Sequence, residues 1–161
     1  MSQEHSVYNK PRVRAAKAGD CPIIAANMRE EDRLEIFYSS GSSPLEALQR
    51  GLRLSEICKV IVINEEPVAM FGIGRNTLQP YIGIPWMLAT PELSRIKKSF
   101  LRRARGELHK LSFGFRVLAN SVWSGNSVHI LWLKWMGFTV QDTRPITHNG
   151  QLFYAFWKEI G

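Results

Sequence analysis

The segment Ser121–Phe138, SVWSGNSVHILWLKWMGF, limits the possible folds more than any other part of the sequence. It starts as a strand-like run, breaks at Ser-Gly-Asn, and continues as an apolar-rich helix that ends at Gly137. Asn126 predicts the helix N-cap, because an asparagine side chain accepts hydrogen bonds from the free N–H groups of a first turn. Gly137 predicts the helix end, because glycine adopts the left-handed conformation without strain. The segment is therefore a strand, a tight loop and a helix.

The other predicted helices lie in the same single domain, which spans residues 1–161 and starts with a flexible N-terminal tail over residues 1–10. Asp20 is the expected N-cap of the first helix. Ser43 and Glu46 have the spacing of a capping box at the start of the second helix. The predicted helices cover residues 20–38, 44–54, 91–111 and 127–136.

Runs of β-branched and apolar residues predict the strands. These runs lie at residues 12–16, 57–63, 68–74, 81–89, 115–123, 138–142 and 152–158. Pro85 argues against a regular central strand over 81–89, because proline cannot donate to a sheet ladder. The resulting order, β-α-α-β-β-β-α-β-α-β-β, indicates a mixed α/β layer protein.

Composition excludes several classes of protein. The chain has 161 residues, of which 45% are hydrophobic and 22% charged, as expected of one globular domain. No apolar run approaches the roughly 20 residues that span a bilayer, and the start lacks the apolar core of a signal peptide. Cys21 and Cys58 lie far apart without metal-ligand spacing, so we expect an intracellular protein with no metal site.

The predicted helix over residues 91–111 combines an apolar face with a basic face. Seven basic residues and one acid lie between Arg95 and Lys110, so most of the net charge of +7 is concentrated there. The expected basic face consists of Arg95, Lys98, Arg102 and Arg105. Such a face is typical either of a solvated helix or of a surface that binds DNA, an acidic protein or the phosphates of a nucleotide cofactor.

The element order, with Asn126 after a strand and Gly137-Phe138 at the end of the next helix, resembles the GNAT acetyltransferase fold. The resemblance implies a mixed, mostly antiparallel central sheet with helices on both faces. It also implies a possible acetyl-CoA site, which Asn126 would help to hold open. The candidate cofactor-binding residues are Arg95, Lys97, Lys98 and Asn126, and the candidate catalytic residues are His129, Tyr81 and Tyr154.

Two departures from the GNAT pattern argue against a conventional active site. The family's phosphate loop, Q/R-x-x-G-x-G/A, uses glycines to let the backbone approach the pyrophosphate. Aligning Arg95 with its first position places Lys98 and Phe100 where the glycines should be. Many family members also carry a general-acid tyrosine seven residues after the asparagine, where this chain has Leu133. An aliphatic side chain cannot donate the proton.

The end of the chain is also similar to a more restricted family, the internal virion proteins of short-tailed coliphages, which are GNAT-like in fold. Their pattern V-W-x-G-N-x-x-H-I-x-x-L-K-x-x-G is matched by Val122, Trp123, Gly125, Asn126, His129, Ile130, Leu133, Lys134 and Gly137. This resemblance implies a bacteriophage protein that assembles the virion core by binding other virion proteins. The two locations that this resemblance implies are the host cytoplasm during assembly and the virion interior.

Three functions follow from the sequence. The leading hypothesis is the structural role in virion assembly. The alternative is an acyl-CoA-dependent N-acetyltransferase with a non-standard pyrophosphate loop. A weaker alternative is a DNA-associated protein that uses the basic face directly.

Overall fold

The computed structural model describes residues 11–96 and 98–161, without the side chains of residues 99–101. The predicted tail over residues 1–10 lies outside the described residues. The described strands are β1 (Pro11–Ala15), β2 (Ser55–Ile63), β3 (Glu66–Arg75), β4 (Ile82–Ala89), β5 (Val117–Trp123), β6 (Thr139–His148) and β7 (Gln151–Glu159). The described α-helices are α1 (Asp20–Ala26), α2 (Glu30–Ser40), α3 (Pro44–Leu54), α4 (Lys98–Leu111) and α5 (Ser127–Trp135).

All seven strands form one sheet in the order β1-β2-β3-β4-β5-β7-β6. Each pair of neighbours is antiparallel except β4 and β5, which are parallel. The mixed, mostly antiparallel sheet predicted from the sequence is therefore confirmed. No helix in the described part of the chain is long and apolar enough to cross a membrane.

Helices cover both faces of the sheet, as predicted. Successive side chains of a strand point to opposite faces, so β2 supplies both cores. Val60 and Val62 pack with α1, α2 and α3 on one face. Ile61 and Ile63 face the other way, where Leu93 and Ile96 pack against them. Further along that second face, α4 and α5 enclose a third apolar cluster against β5 and β7.

The predicted first helix is in fact two helices, so the expectation of one helix from Asp20 to Tyr38 is wrong. Arg29 has an extended backbone, with φ −57° and ψ 143°, and separates α1 from α2. Its N–H donates to Ala89 O, 2.9 Å away at the end of β4. The hydrogen bond to the sheet replaces the one that a continuous helix would make, and it brings the start of α2 to β4.

The predicted basic helix is also divided. Residues Pro91–Arg95 form a 3₁₀ turn, after which Ile96 is extended, with φ −74° and ψ 127°. Ile96 is buried in the apolar cluster beside β4, and this packing is incompatible with a helix that continues straight from Pro91. The α-helix begins only at Lys98.

Pro85 does not prevent β4 from being a central strand, contrary to the sequence prediction. The ladder between β4 and β5 contains only two pairs, Ile82 with Val117 and Gly83 with Leu118. The carbonyl oxygen of Pro85 faces β5, because it accepts a hydrogen bond from Asn120 Nδ2 at 2.9 Å. In a strand the N–H and C=O of one residue point to the same neighbour. The missing N–H of Pro85 therefore lies where the ladder has already ended.

Candidate active site

Beyond these two pairs, β4 and β5 diverge and leave a gap in the middle of the sheet. Helix α2 crosses the gap and satisfies backbone groups at both strand ends. Glu35 Oε1 accepts a hydrogen bond from Trp123 N at 2.9 Å, at the end of β5. Asp32 Oδ2 accepts one from Ala89 N at 2.9 Å, at the end of β4. Buried N–H groups need partners, so these two carboxylates stabilise the open arrangement of the strands.

A buried polar network connects α2 to the start of α5. Asp32 is fully buried and binds Arg29 through Nε at 3.2 Å and Nη2 at 2.8 Å. Asn126 Nδ2 donates to Asp32 Oδ1 at 2.9 Å. Asn126 Oδ1 in turn accepts from His129 N at 3.3 Å, which confirms Asn126 as the N-cap of α5. Gly137, with φ 95°, follows the end of that helix, as predicted. The network fixes His129 relative to both strand ends.

Glu35 is the titratable group at the gap with a pKa near neutrality. Burial raises the pKa of its carboxyl from 4.5 to about 7. The hydrogen bond from Trp123 N lowers this pKa, and the nearby charge of Asp32 raises it further. At pH 7, therefore, the carboxyl exists in comparable amounts in both protonation states, as a proton-transfer group requires.

His129 is the second titratable side chain in the gap. Its exposed fraction is 6%, and its Nδ1 is buried without a hydrogen-bond partner among the described residues. Burial lowers the pKa of the imidazole to about 4, against an opposing effect of Asp32. The ring is therefore neutral at pH 7 and can form a hydrogen bond with a molecule that enters the gap.

Two cavities on opposite faces of the sheet meet at the gap. The cavity on the α2 and α3 side has a volume of about 520 Å³, and Glu35 is part of its wall. The cavity on the α4 and α5 side is narrow, at about 80 Å³, and largely apolar. Both are lined by Pro85, Trp86, Met87, His129 and Phe156. The two cavities therefore share one part of their walls at the gap.

The two tyrosines among the candidate catalytic residues do not lie at the gap. Tyr81 is 46% exposed and precedes β4, while Tyr154 lies on β7 opposite Val122. Neither is among the described residues that line the two cavities. Leu133, at the position of the family's tyrosine, is buried and lines the narrow cavity. Of the three catalytic candidates from the sequence, only His129 lies at the gap.

Two of the cofactor-binding candidates, Arg95 and Lys98, lie between the end of β4 and the first turn of α4, whereas Asn126 is buried at the gap. Arg95 is exposed and pairs with Glu92 at 2.9 Å, while Lys98 is exposed at the first position of α4. Lys97 lies outside the described residues. Thr90, between β4 and the 3₁₀ turn, is buried with Oγ1 unpartnered among the described residues. It lines a polar cavity of about 600 Å³ together with Arg95.

The predicted basic face is less uniform than its sequence indicated. Arg102 is exposed on α4. Arg105 instead turns towards α5, where its Nε donates to Trp135 O at 2.9 Å. Its guanidinium also lies over the Trp135 ring, 4.4 Å from the centroid. Arg105 therefore joins α4 to α5, and this contact restricts the orientation of its guanidinium.

Sequence reasoning did not identify Arg29, Asp32 or Glu35. They lie in the run REEDRLE, which contains mostly charged residues and is typical of a solvated helix face. The extended backbone of Arg29 turns part of this run towards the sheet, and neither glycine nor proline indicates that break. The spacing of Asp32 and Glu35 by three places both carboxylates on one side of α2, which is the only available signal.

Comparison with solved structures identifies the fold. An acetyltransferase of the GNAT family from Streptococcus pneumoniae superposes with a TM-score of 0.61 at 14% identity, covering 94% of this chain and 100% of that one. A putative acetyltransferase from Salmonella typhimurium with acetyl-CoA gives 0.65 at 17% identity, covering 95% of each chain. Diaminobutyrate acetyltransferase from Paenibacillus lautus, with its substrate and coenzyme A, gives 0.66 at 14%, covering 95% of this chain and 97% of that one.

These likenesses show that the chain has the GNAT fold, as its sequence pattern predicted. No family model matches the chain, and no curated protein matches it. The resemblance to coliphage internal virion proteins therefore receives no support from the comparisons.

Proposed function

We propose that this protein is an acyl-CoA-dependent N-acyltransferase. The observation that carries the proposal is the meeting of two cavities, on opposite faces of the sheet, at a gap that contains Glu35 and His129. This geometry allows an acyl donor and an amine to approach from opposite sides, as direct transfer between two bound molecules requires. Two of the three structural neighbours named above contain acetyl-CoA or coenzyme A, which supports acetyl-CoA as the donor.

The residues present fit an acyl-CoA at both ends, by different means. At the acyl end, the unpartnered Nδ1 of His129 is available to a polar group in the gap. At the phosphate end, the exposed Lys98 at the start of α4 combines a cation with the partial positive charge of a helix N-terminus. The narrow cavity is smaller than the roughly 300 Å³ of typical ligand sites, so side chains such as Trp132 must move on binding.

The chemistry is the exchange of a thioester for an amide. A bound acyl-CoA would supply an activated thioester, whose C–S bond breaks as the acceptor nitrogen forms its bond to the acyl carbon. In its ionised form, Glu35 takes the proton that the acceptor nitrogen loses. The leaving sulfur takes up one proton from water, and Glu35 later returns its proton to water, so the reaction has no net change in protons. The neutral ring of His129 donates or accepts a hydrogen bond and orients the reacting groups.

The other functions indicated by the sequence remain predictions. They are the role in virion assembly, with other virion proteins as partners and the host cytoplasm or virion as location, and DNA binding through the basic face. Two observations favour the enzyme: the fold of the neighbours and the titratable groups at the gap. The hydrogen bonds of Arg105 to α5 restrict the orientation of one side chain of the basic face.

The deciding experiment is calorimetry with acetyl-CoA, followed by an assay of free thiol release in the presence of amines. We expect saturable binding and amine-dependent release of coenzyme A. Neither heat nor a thermal shift at millimolar acetyl-CoA would exclude the enzyme. In that case, recovery of virion proteins by pull-down from infected cells would support the assembly role.

A further inference from the structure

The 520 Å³ cavity on the α2 and α3 side also contains information about the acceptor. Its volume lies within the range of roughly 300–1,000 Å³ in which proteins enclose small ligands. It opens onto Glu35 at the gap, so an amine that reaches this carboxylate would have the rest of its structure inside the cavity. The cavity is large enough to enclose an acceptor of the size of an amino acid.

The charged side chains that line this cavity are few. Among the described residues they are Glu35, Arg50 and Arg75, with the neutral imidazole of His129 beside them. Glu35 is the proton acceptor in the proposed reaction. The two arginines, which come from α3 and β3, differ in whether their charge is already neutralised.

All three nitrogens of the Arg75 guanidinium donate hydrogen bonds to groups of the protein. Its Nε and Nη2 bind Glu56 at 2.5 and 2.9 Å, and Nη1 donates to Pro80 O. The guanidinium also lies 4.4 Å from the centroid of the Phe115 ring. A bidentate carboxylate neutralises its charge, so Arg75 offers little to a ligand.

Arg50 has no such partner. Its hydrogen bond is donated from Nη2 to Ser42 Oγ at 2.7 Å, and no carboxylate of the described residues lies within ion-pair distance. A hydroxyl orients a guanidinium but cannot neutralise it. A half-buried arginine with free N–H donors is suited to bind a carboxylate, phosphate or phosphonate.

We propose that the acceptor is a small primary amine that also carries an oxyanion, bound through Arg50 while its amino group reaches Glu35. The inference rests on the proposed function, since it identifies the second substrate of the same site. Ser42 is a positioning residue, because its hydroxyl holds the guanidinium.

The test is a panel of α-, β- and γ-amino acids, their amides, and aminoalkylphosphonates of the same lengths, assayed with acetyl-CoA for release of free thiol. We expect at least one anionic acceptor to exceed its amide in kcat/KM by about 10- to 100-fold. A higher rate for carboxylates than for phosphonates, or the reverse, identifies the oxyanion. Equal rates for acids and amides would overturn the inference while leaving the acyltransferase in place.

Substitutions connect this preference to one side chain. Arg50→Met should remove the preference by raising KM for the acid far more than KM for the amide, and Arg50→Lys should retain part of it. Arg53→Met is the matched control, because Arg53 is exposed on the same helix and does not line the cavity. A preference that persists in Arg50→Met would contradict the assignment.

A binding measurement separates the two proposals if no acceptor reacts. Calorimetric titration of the same acids and amides into the protein should show binding of an acid that Arg50→Met and Arg50→Lys weaken in that order. Acid binding without any release of coenzyme A would mean that the acyltransferase proposal fails and the anion site stands. Absence of acid binding in this titration would overturn the anion site itself.

Discussion

The gap between β4 and β5 and the start of α4 are the two ends of the candidate acyl-CoA site, and they are built differently. At the gap, Asp32 is fully buried, and its carboxylate makes hydrogen bonds to three residues. At the start of α4, the long side chains of Arg95 and Lys98 are exposed, and the ion pair that Arg95 forms among the described residues is with its near neighbour Glu92. The reacting end is preorganised, whereas the phosphate end depends on mobile charges, which screening by salt weakens.

The largest expected effect is on the free energy of unfolding, for a substitution at the gap. Asp32→Ala leaves the buried guanidinium of Arg29 without its carboxylate and Ala89 N–H without its acceptor. We expect the free energy of unfolding to fall by about 3–5 kcal/mol. Urea denaturation measures it. The matched variant at the other end is Glu92→Ala, which breaks an exposed ion pair with Arg95 and should cost less than about 1 kcal/mol. Similar losses in both variants would contradict the contrast between the ends.

The next effect concerns Glu35. Glu35→Gln should lower the rate of acyl transfer by about 100-fold or more and leave acetyl-CoA affinity unchanged. In the wild type, the rate should rise with pH through about 7, as the carboxyl ionises. Steady-state rates from pH 5 to 9 test this expectation. Glu30→Gln, an exposed position in the first turn of the same helix, is the control. An unchanged pH profile in Glu35→Gln would remove Glu35 from the mechanism.

The ionisation of Glu35 that should raise the rate of acyl transfer should lower the free energy of unfolding. The pKa of Glu35 is raised on folding, so the native state favours its protonated form. Its contribution to stability is full below about pH 4.5 and is lost as pH rises through about 7. The loss amounts to about 2–3 kcal/mol after allowance for partial solvent screening. Glu35→Gln should therefore flatten the pH dependence of urea denaturation between pH 4.5 and 8.

A smaller effect is expected at the start of α4. Lys98→Met should raise the Kd for acetyl-CoA by about 5- to 10-fold, and the difference should shrink at high salt. Calorimetry at 50 and 500 mM salt makes the comparison. Lys110→Met removes the same charge at the far end of the helix, where Lys110 lies 3.8 Å from Glu107, and should have no such effect. Equal effects of both substitutions would mean that only net charge matters.

The smallest effect separates structure from binding on α4. Arg105→Met removes the hydrogen bonds to Trp135 O and the stacking on the Trp135 ring, so we expect a loss of about 1 kcal/mol in unfolding free energy. DNA binding, if it occurs, should not depend on Arg105 but should weaken in Arg102→Met. Gel-shift titrations over a salt series test this order. A larger loss of DNA affinity in Arg105→Met would restore Arg105 to the basic face.

Much of the fold is readable from local sequence signals. Ser43 accepts a hydrogen bond from Glu46 N at 3.1 Å, as the capping-box spacing predicted, and Asn149 and Gly150 form a left-handed turn between β6 and β7. Asn126 and Gly137 bound α5, as expected. Each of these features depends on residues within a few positions of one another, so the sequence contains their physical cause.

The candidate site is harder to predict from the sequence, because the residues that interact there are far apart along the chain. The break at Arg29 is set by a hydrogen bond to Ala89, and the pKa of Glu35 is raised by burial in the folded protein. Pro85 led to the prediction that residues 81–89 do not form a regular central strand. The sequence does not show that the β4–β5 ladder ends before Pro85, where a missing N–H breaks no hydrogen bond of the ladder. His129 lies in the first turn of α5, whose start is fixed by the nearby Asn126.

The hydrogen bonds across the gap also affect how the protein folds. Asp32 and Asn126 are separated by 94 residues, and Glu35 and Trp123 by 88. Closing loops of this length is entropically unfavourable until the contacts at their ends form, which places such pairings late in folding. A chain that has assembled only β1–β4 would contain Glu35 without its hydrogen-bond donor Trp123 N at the end of β5. Catalytic competence should therefore emerge in an all-or-none manner with completion of the fold.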